Sequence, residues 1–184
     1  MLRITVVGGI ILFGDDMIIL IMGASHTGKT ALAEKLMQKY KYPYLSIDHL
    51  KMGLIRSKNT DLTPLSEDSK LTAYLWPIVR EIIKTAIENN QNLIVEGCYI
   101  PGNWKDDFSD EYLEKIDCHL LIFSENYIRN HFEDIKKFAS VVEKRLCDDC
   151  EIDSLIRDNA YFLDLSEKYN IPAIHIEEKY EIEI

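Results

Sequence analysis

Eight consecutive residues constrain this chain more than any others: GASHTGKT at 23–30, set between the apolar run MIILIM (17–22) and the helix-forming run 31–40. The string has the form G-x-x-x-x-G-K-[ST], a phosphate-binding loop. Such a loop turns successive backbone N–H groups inward, and its glycines let the chain approach an oxyanion without a Cβ in the way. Lys29 is placed to reach the β- and γ-phosphates of a nucleotide, and the Thr30 hydroxyl to ligate Mg²⁺. The helix that starts here adds its positive end to the site. The candidate cofactor-binding residues are therefore Gly23, Ala24, Ser25, His26, Thr27, Gly28, Lys29, Thr30 and Ala31. The bland alternative is a glycine-rich strand-to-helix turn.

At 184 residues the chain is long enough for one well-cored domain and short for two, so a single domain over 1–184 is expected. With 21 basic and 31 acidic residues the net charge is -10, which gives no basic field to draw the chain to nucleic acid or an anionic membrane. A polyanionic ligand must be held by a local cluster of N–H groups, Lys and Arg. The cysteines are scattered at Cys98, Cys118, Cys147 and Cys150, which suits a reducing, cytoplasmic compartment. CDDC at 147–150 has the spacing of half a zinc site, but no second CxxC or nearby His pair completes four ligands. No metal is expected there.

Residues 1–16 are apolar and broken by glycine, with Arg3 ahead of the run. No small-x-small cleavage pattern follows, and Asp15 and Asp16 interrupt the run well short of the ~20 residues a spanning helix needs. The readings that remain are an added edge strand, a hairpin partner for 17–22, or a start placed too early, with Met17 the true one.

Taken in order, 17–22 is a short, continuously apolar run, as expected of a central parallel strand covered on both faces. Leu32, Leu36 and Tyr40 then stack at fourfold spacing on a helix that Pro43 ends. YLSI (44–47) is a second strand leading into Asp48, and 49–56 a short helix. Ser66, followed by Glu67 and Asp68, predicts a helix start. A broad stripe runs on from it through Leu71, Leu75, Ile78, Val79, Ile82 and Ile83, with Pro77 expected to kink or split the helix near Trp76. NLIV (92–95), CHLLIF (118–123) and PAIHI (172–176) are three further strands, the last trailed by a charged tail. Between the last two strands, Ile128 to Leu146 reads as one helix or two in near-continuous register, and Ile152 to Leu165 as a final helix. Strands alternating with helices predict an α/β fold: a parallel sheet of five strands with helices on both faces.

In an open α/β sheet, ligands bind beyond the carboxyl ends of the strands. That edge receives the phosphate loop, Asp48 after the second strand and Glu96 after the third. Asp48 is a candidate to take or orient the proton of an acceptor hydroxyl, with a helix cap as the alternative. Glu96 is a candidate to hold Mg²⁺ or bind the acceptor, the alternative being a buried carboxylate capping a loop.

Through GASHTGKT, LSIDHLKMGL and LIVEGCYIP the chain resembles the small P-loop kinases, a group that includes adenylate, shikimate and gluconate kinases and the zeta-toxin and 2-phosphoglycerate kinase relatives. The resemblance covers roughly 17–101 well and the rest by element order. It implies a three-layer P-loop fold with strand order 2-3-1-4-5, ATP and Mg²⁺ held at Lys29 and Thr30, and Asp48 at the acceptor. The γ-phosphoryl of ATP would pass to a hydroxyl or phosphate of a small metabolite. The DGFPR-type string of nucleoside monophosphate kinases and the GGG string of shikimate kinase are absent, which leaves the acceptor open.

The resemblance also implies a lid at about 125–150 that brings an Arg onto the phosphates. Candidates are Arg129, Lys136, Lys137, Lys144 and Arg145. Arg129 and Arg145 fall on nearly opposite faces of one straight helix at about 100° per residue, so both serve only if the helix breaks. Arg145 is favoured, lying late enough to return toward the sheet. Arg56 is the candidate for an anionic group on the acceptor. Two rivals remain: an ATP-binding or ATP-hydrolysing regulatory protein, and a toxin-type kinase of a cell-wall sugar nucleotide. The expected partner is a small-molecule acceptor, without nucleic acid or membrane, for a monomer or homodimer.

Overall fold

The computed structural model describes residues 18–138 and 150–182. Five parallel strands form one sheet in the order β2-β3-β1-β4-β5. The strands are β1 (Ile18–Gly23), β2 (Tyr44–Ser46), β3 (Leu93–Glu96), β4 (Ile116–Phe123) and β5 (Ala173–Ile176). This is the predicted architecture and the predicted order.

β1 lies at the centre, paired with β3 on one side and β4 on the other, and every one of its residues is buried. Both of its edges are taken, by β3 and β4; the readings of residues 1–16 fall outside the described part of the chain. The alternation of a strand sorts its side chains into two cores. Ile18, Leu20 and Met22 pack with α3 (Asp68–Glu88), while Ile19 and Ile21 pack with α1 (Lys29–Tyr40) and α5 (Glu125–Phe138). A run with no polar position is thus what a strand covered on both faces requires. Each fully buried Ile or Leu along it contributes roughly 1.5–3 kcal/mol.

α1 buries Leu32 and Leu36 and leaves Tyr40 half-buried. It stops because Lys41 takes a left-handed φ of 61°, two residues before Pro43. The next helix, α2 (Ile47–Arg56), begins at once where β2 ends, so the second strand stops at Ser46 and Asp48 sits inside the helix's first turn. α3 runs unbroken through Pro77 and is not split. Pro77 removes the N–H that would serve the carbonyl of Ala73, but both residues are exposed and water can take its place. Ser66 does not cap this helix: Glu67 holds the cap position, and the Ser66 hydroxyl accepts from the Thr63 N–H at 2.9 Å.

Between β3 and β4, a loop with one 3₁₀ turn (Trp104–Asp107) and the single-turn α4 (Asp110–Leu113) is fastened to α3. Trp76 donates its indole N–H to Asp107 at 2.7 Å, and Arg80 pairs with the same carboxylate at 3.2 Å. The final helix, α6 (Ile152–Tyr169), is tied to β4 by Asn159, which is 2% exposed. Its Oδ1 accepts from the Phe123 N–H and its Nδ2 donates to the Leu155 carbonyl, both at 2.8 Å.

Candidate functional site

The phosphate loop joins β1 to α1 at the carboxyl edge of the sheet. Its turn is made by left-handed φ values at His26 (68°) and Gly28 (80°). The Ala24 carbonyl is its inner anchor, accepting from the Thr27 hydroxyl at 2.8 Å and from Lys29 Nζ at 2.6 Å. Lys29 is buried despite its charge. An ammonium carries three donors, so this one bond leaves it capacity for phosphate oxygens. α1 begins at Lys29 itself, and the N–H groups of its first turn have no intrahelical acceptor. Thr30 follows, half-buried.

Gly28 is required twice. Its φ suits glycine, and a Cβ there would lie 2.5 Å from the hydroxyl of Tyr180. That tyrosine belongs to the tail beyond β5. It donates to the Gly28 carbonyl at 2.8 Å, and its ring meets Phe123 edge-on at 6.2 Å. Ile182 behind it is buried. Burial pushes the Tyr180 phenol well above its ordinary value, with Tyr127 adding to the shift, so it remains a donor. The charged tail therefore carries two packed residues that hold it against the phosphate loop. Only its apolar positions, Tyr180, Ile182 and Ile184 alternating with acids, signal this in sequence.

The other carboxyl ends arrive beside the loop. β3 ends in Glu96, 2% exposed, in register with Ile21 of β1 and Ser46 of β2. The next residue, Gly97, lets α2 approach: a Cβ there would lie 2.9 Å from Ile47 Cβ. Asp48 is held one residue beyond that contact. It does not cap α2, since Ser46 occupies that position; its carboxylate instead meets the ammonium of Lys51, which also donates to the Tyr99 hydroxyl at 2.9 Å. Burial, eased by Lys51, pushes the Tyr99 phenol up to about 12. Cys98, beside it, has its Sγ 3.7 Å from Ser25 Oγ in the phosphate loop. Burial raises that thiol, the Lys29 charge opposing, so it is no ready thiolate. The segment 96–99 thus touches the phosphate loop through Cys98 and α2 through Tyr99.

The chain has the fold of the small P-loop kinases.

Two solved structures align over most of its length. One is a gluconokinase from Sinorhizobium meliloti 1021, with TM-score 0.52 and 13% identity over 91% of this chain and 85% of that one. The other is a sugar kinase from Janibacter sp. HTCC2649, with TM-score 0.51 and 16% identity over 88% of this chain and 85% of that one. No protein-family model matches the sequence, and no curated protein does.

Other candidates fall elsewhere. Arg56 is exposed in the last turn of α2, eight residues from Asp48 and so about 12 Å along the axis. Arg129 is exposed and pairs with Glu125 at 2.8 Å. α5 is interrupted at His131 (φ -122°, ψ 19°), whose ring stacks on Tyr127 at 4.6 Å, so a break does fall after Arg129. Lys136 lies over the Phe132 ring at 5.6 Å, and Lys137 shares the exposed last turn of α5. Lys144, Arg145 and Cys147 lie outside the described residues. Among the described residues no three His, Cys, Asp or Glu side chains group as a metal site, and no helix is long and apolar enough to cross a membrane. A groove of about 780 Å³ lined by Tyr42, Pro43, Ile78, Ile82 and Leu93 opens at the opposite, amino ends of β2 and β3. The half-buried Ile78 and Ile82 of the α3 stripe face it rather than the core.

Proposed function

We propose that the chain is an ATP-dependent phosphotransferase that moves the γ-phosphoryl group of ATP to a hydroxyl of a small metabolite. The observation that supports this best is the meeting, at one sheet edge, of a phosphate loop with a charged lysine and a carboxylate on a separate element. A nucleotide switch also needs one carboxylate for Mg²⁺, a part Glu96 can play; the second carboxylate, Asp48 on α2, goes beyond that need and suits an acceptor hydroxyl. That two chains of this fold are called a gluconokinase and a sugar kinase is in keeping with a hydroxyl acceptor.

In this reading residues 23–31 cradle the phosphates, and Lys29 leaves the Ala24 carbonyl for the oxygens of the transferring group. Its charge stabilises what develops there in the transition state. Asp48 takes or orients the proton of the acceptor hydroxyl, and Arg145 or Arg129 closes on the phosphates. Mg²⁺, when bound, neutralises phosphate charge; the Thr30 hydroxyl and the buried Glu96 carboxylate are the protein oxygens that would hold it. Two such ligands suffice, because Mg²⁺ in kinases keeps waters and takes the rest from phosphate. The test is ATP consumption against a panel of hydroxyl metabolites, in wild type and Lys29→Ala. Acceptor-dependent turnover that vanishes in the variant supports the reading, and turnover unchanged in Lys29→Ala overturns it.

A further inference from the structure

Lys51 was no candidate on sequence grounds, yet its setting is unusual for a lysine one turn into a helix. Such a side chain ordinarily lays its stem along the surface and keeps its ammonium in water. Here only 12% of the side chain is exposed, and Nζ is held by Asp48, the Tyr99 hydroxyl and the face of the Tyr99 ring, 4.8 Å from its centroid. Burial works against the charge, but the Asp48 carboxylate and the two hydrogen bonds outweigh it, so Lys51 stays firmly protonated. A helix pair at this spacing is worth a few tenths of a kcal/mol when exposed and gives no reason to draw a cation under cover.

The geometry points to Lys51 as the residue that reads the acceptor: its ammonium takes an anionic group of the molecule whose hydroxyl goes to Asp48, which makes the acceptor a hydroxy acid or a phosphorylated alcohol. This rests on the phosphotransferase reading above. Three observations carry it. The ammonium has three donors, of which Asp48 and Tyr99 take two. A carboxylate has room for more than one donor, and Asp48 is 32% exposed, so it can accept a hydroxyl while it keeps Lys51. The chain carries a net charge of -10, so an anionic acceptor gains nothing from the overall field and needs a local cation. Arg56 is exposed at the far end of α2, whereas Lys51 touches the carboxylate itself. Tyr99 fixes the height of the ammonium, and it is itself fixed because Ile100 and Trp104 beyond it are buried.

The experiment pairs acceptors that differ only in the anion: D-gluconate against D-glucitol for a carboxylate, and glycerol 3-phosphate against glycerol for a phosphate. Phosphorylation above ATP hydrolysis is measured for each, with ATP binding measured separately. The expected result is transfer to an anionic member and little to its neutral twin, the active pair telling carboxylate from phosphate. Lys51→Met should raise the acceptor KM by about 10- to 100-fold, the weight of a hydrogen bond to a charged group, and leave the ATP KM within about twofold. Lys51→Arg should recover part of the loss. A neutral member as the better acceptor overturns the inference, and needs no variant. So does a Lys51→Met protein with lower kcat or melting temperature but an unchanged preference for the anion. Normal ATP binding with no transfer to any member counts against the phosphotransferase reading itself and removes this inference with it.

Discussion

The phosphate loop draws its parts from eight consecutive residues, whereas Asp48, Lys51 and Tyr99 come from two segments 48 positions apart, joined by a hydrogen bond between Lys51 and Tyr99. The difference is one of how much the surroundings must supply. On the proposed donor side, backbone N–H groups and a helix end would do most of the binding, so local conformation is nearly enough. On the proposed acceptor side, one carboxylate must be aimed by what packs around it: the close approach of Gly97 to Ile47, the residue before Asp48, and Lys51, which Tyr99 holds in turn. The donor side should therefore fail chiefly when a charge is removed, and the acceptor side when either a charge or a packed contact is.

The sharpest way to break this comparison is at Lys29. Lys29→Ala is expected to abolish measurable turnover, a loss beyond the roughly 10²- to 10³-fold of one oxyanion donor, since a preorganised full charge on the transferring group is lost. Thermal melting should change little if the loop's backbone carries its own fold. Steady-state ATP turnover and a melting curve check both.

Asp48→Asn comes next. If Asp48 handles the acceptor proton, transfer falls by about 10²- to 10⁴-fold while ATP affinity holds. If it serves only as the partner of Lys51, the melting temperature falls and transfer per folded molecule does not. Acceptor-dependent transfer and ATP titration on the same sample distinguish the two.

A smaller effect is expected at Tyr180, where the donor side does depend on a distant residue. Tyr180→Phe keeps the ring against Gly28 and removes one hydrogen bond to its carbonyl. The expected loss is about two- to tenfold in ATP affinity, the scale of a single hydrogen bond, with acceptor KM unchanged. If ATP affinity does not move, the tail is packing only.

The last effect concerns stability at alkaline pH and leaves turnover at neutral pH unchanged. The Tyr99 phenol sits at about 12 in the folded chain against an ordinary value of 10.0. A group whose folded pKa is raised contributes stability that is complete below its unfolded pKa and is lost as pH climbs through the folded one. The window is therefore pH 10 to about 12. Tyr99→Phe should flatten the fall in unfolding free energy across that window, by on the order of 2 kcal/mol at most. The parallel contributions of the phenols of Tyr112, Tyr127 and Tyr180 are left in place. An identical alkaline slope in wild type and variant refutes this.

Much of this architecture is legible from residue order. The five strands, their parallel course and the helices between them follow from apolar runs and helical stripes, and element ends moved by a few residues: β2 ended one early, β3 shifted by one, β4 and α2 began two early, and α1 took in Lys29 and Thr30. Pro77 misled because its cost depends on whether the freed carbonyl meets water, which periodicity does not report. Ser66 misled for a related reason, since a hydroxyl can serve a turn as well as a helix.

What the sequence by itself determined is the strand-loop-helix of the proposed donor side: a phosphate loop is a local backbone conformation, so the residues that specify it are neighbours in the chain. It also determined that Asp48 and Glu96 reach the same sheet edge, because strand ends in a parallel sheet share one side. Only the tertiary structure decided what each side chain there touches. That Lys51 turns inward, that Tyr99 meets it and that Tyr180 closes over Gly28 are contacts between segments 48 to 152 positions apart. No spacing rule carries such information, because these contacts depend on how two independently formed elements are packed.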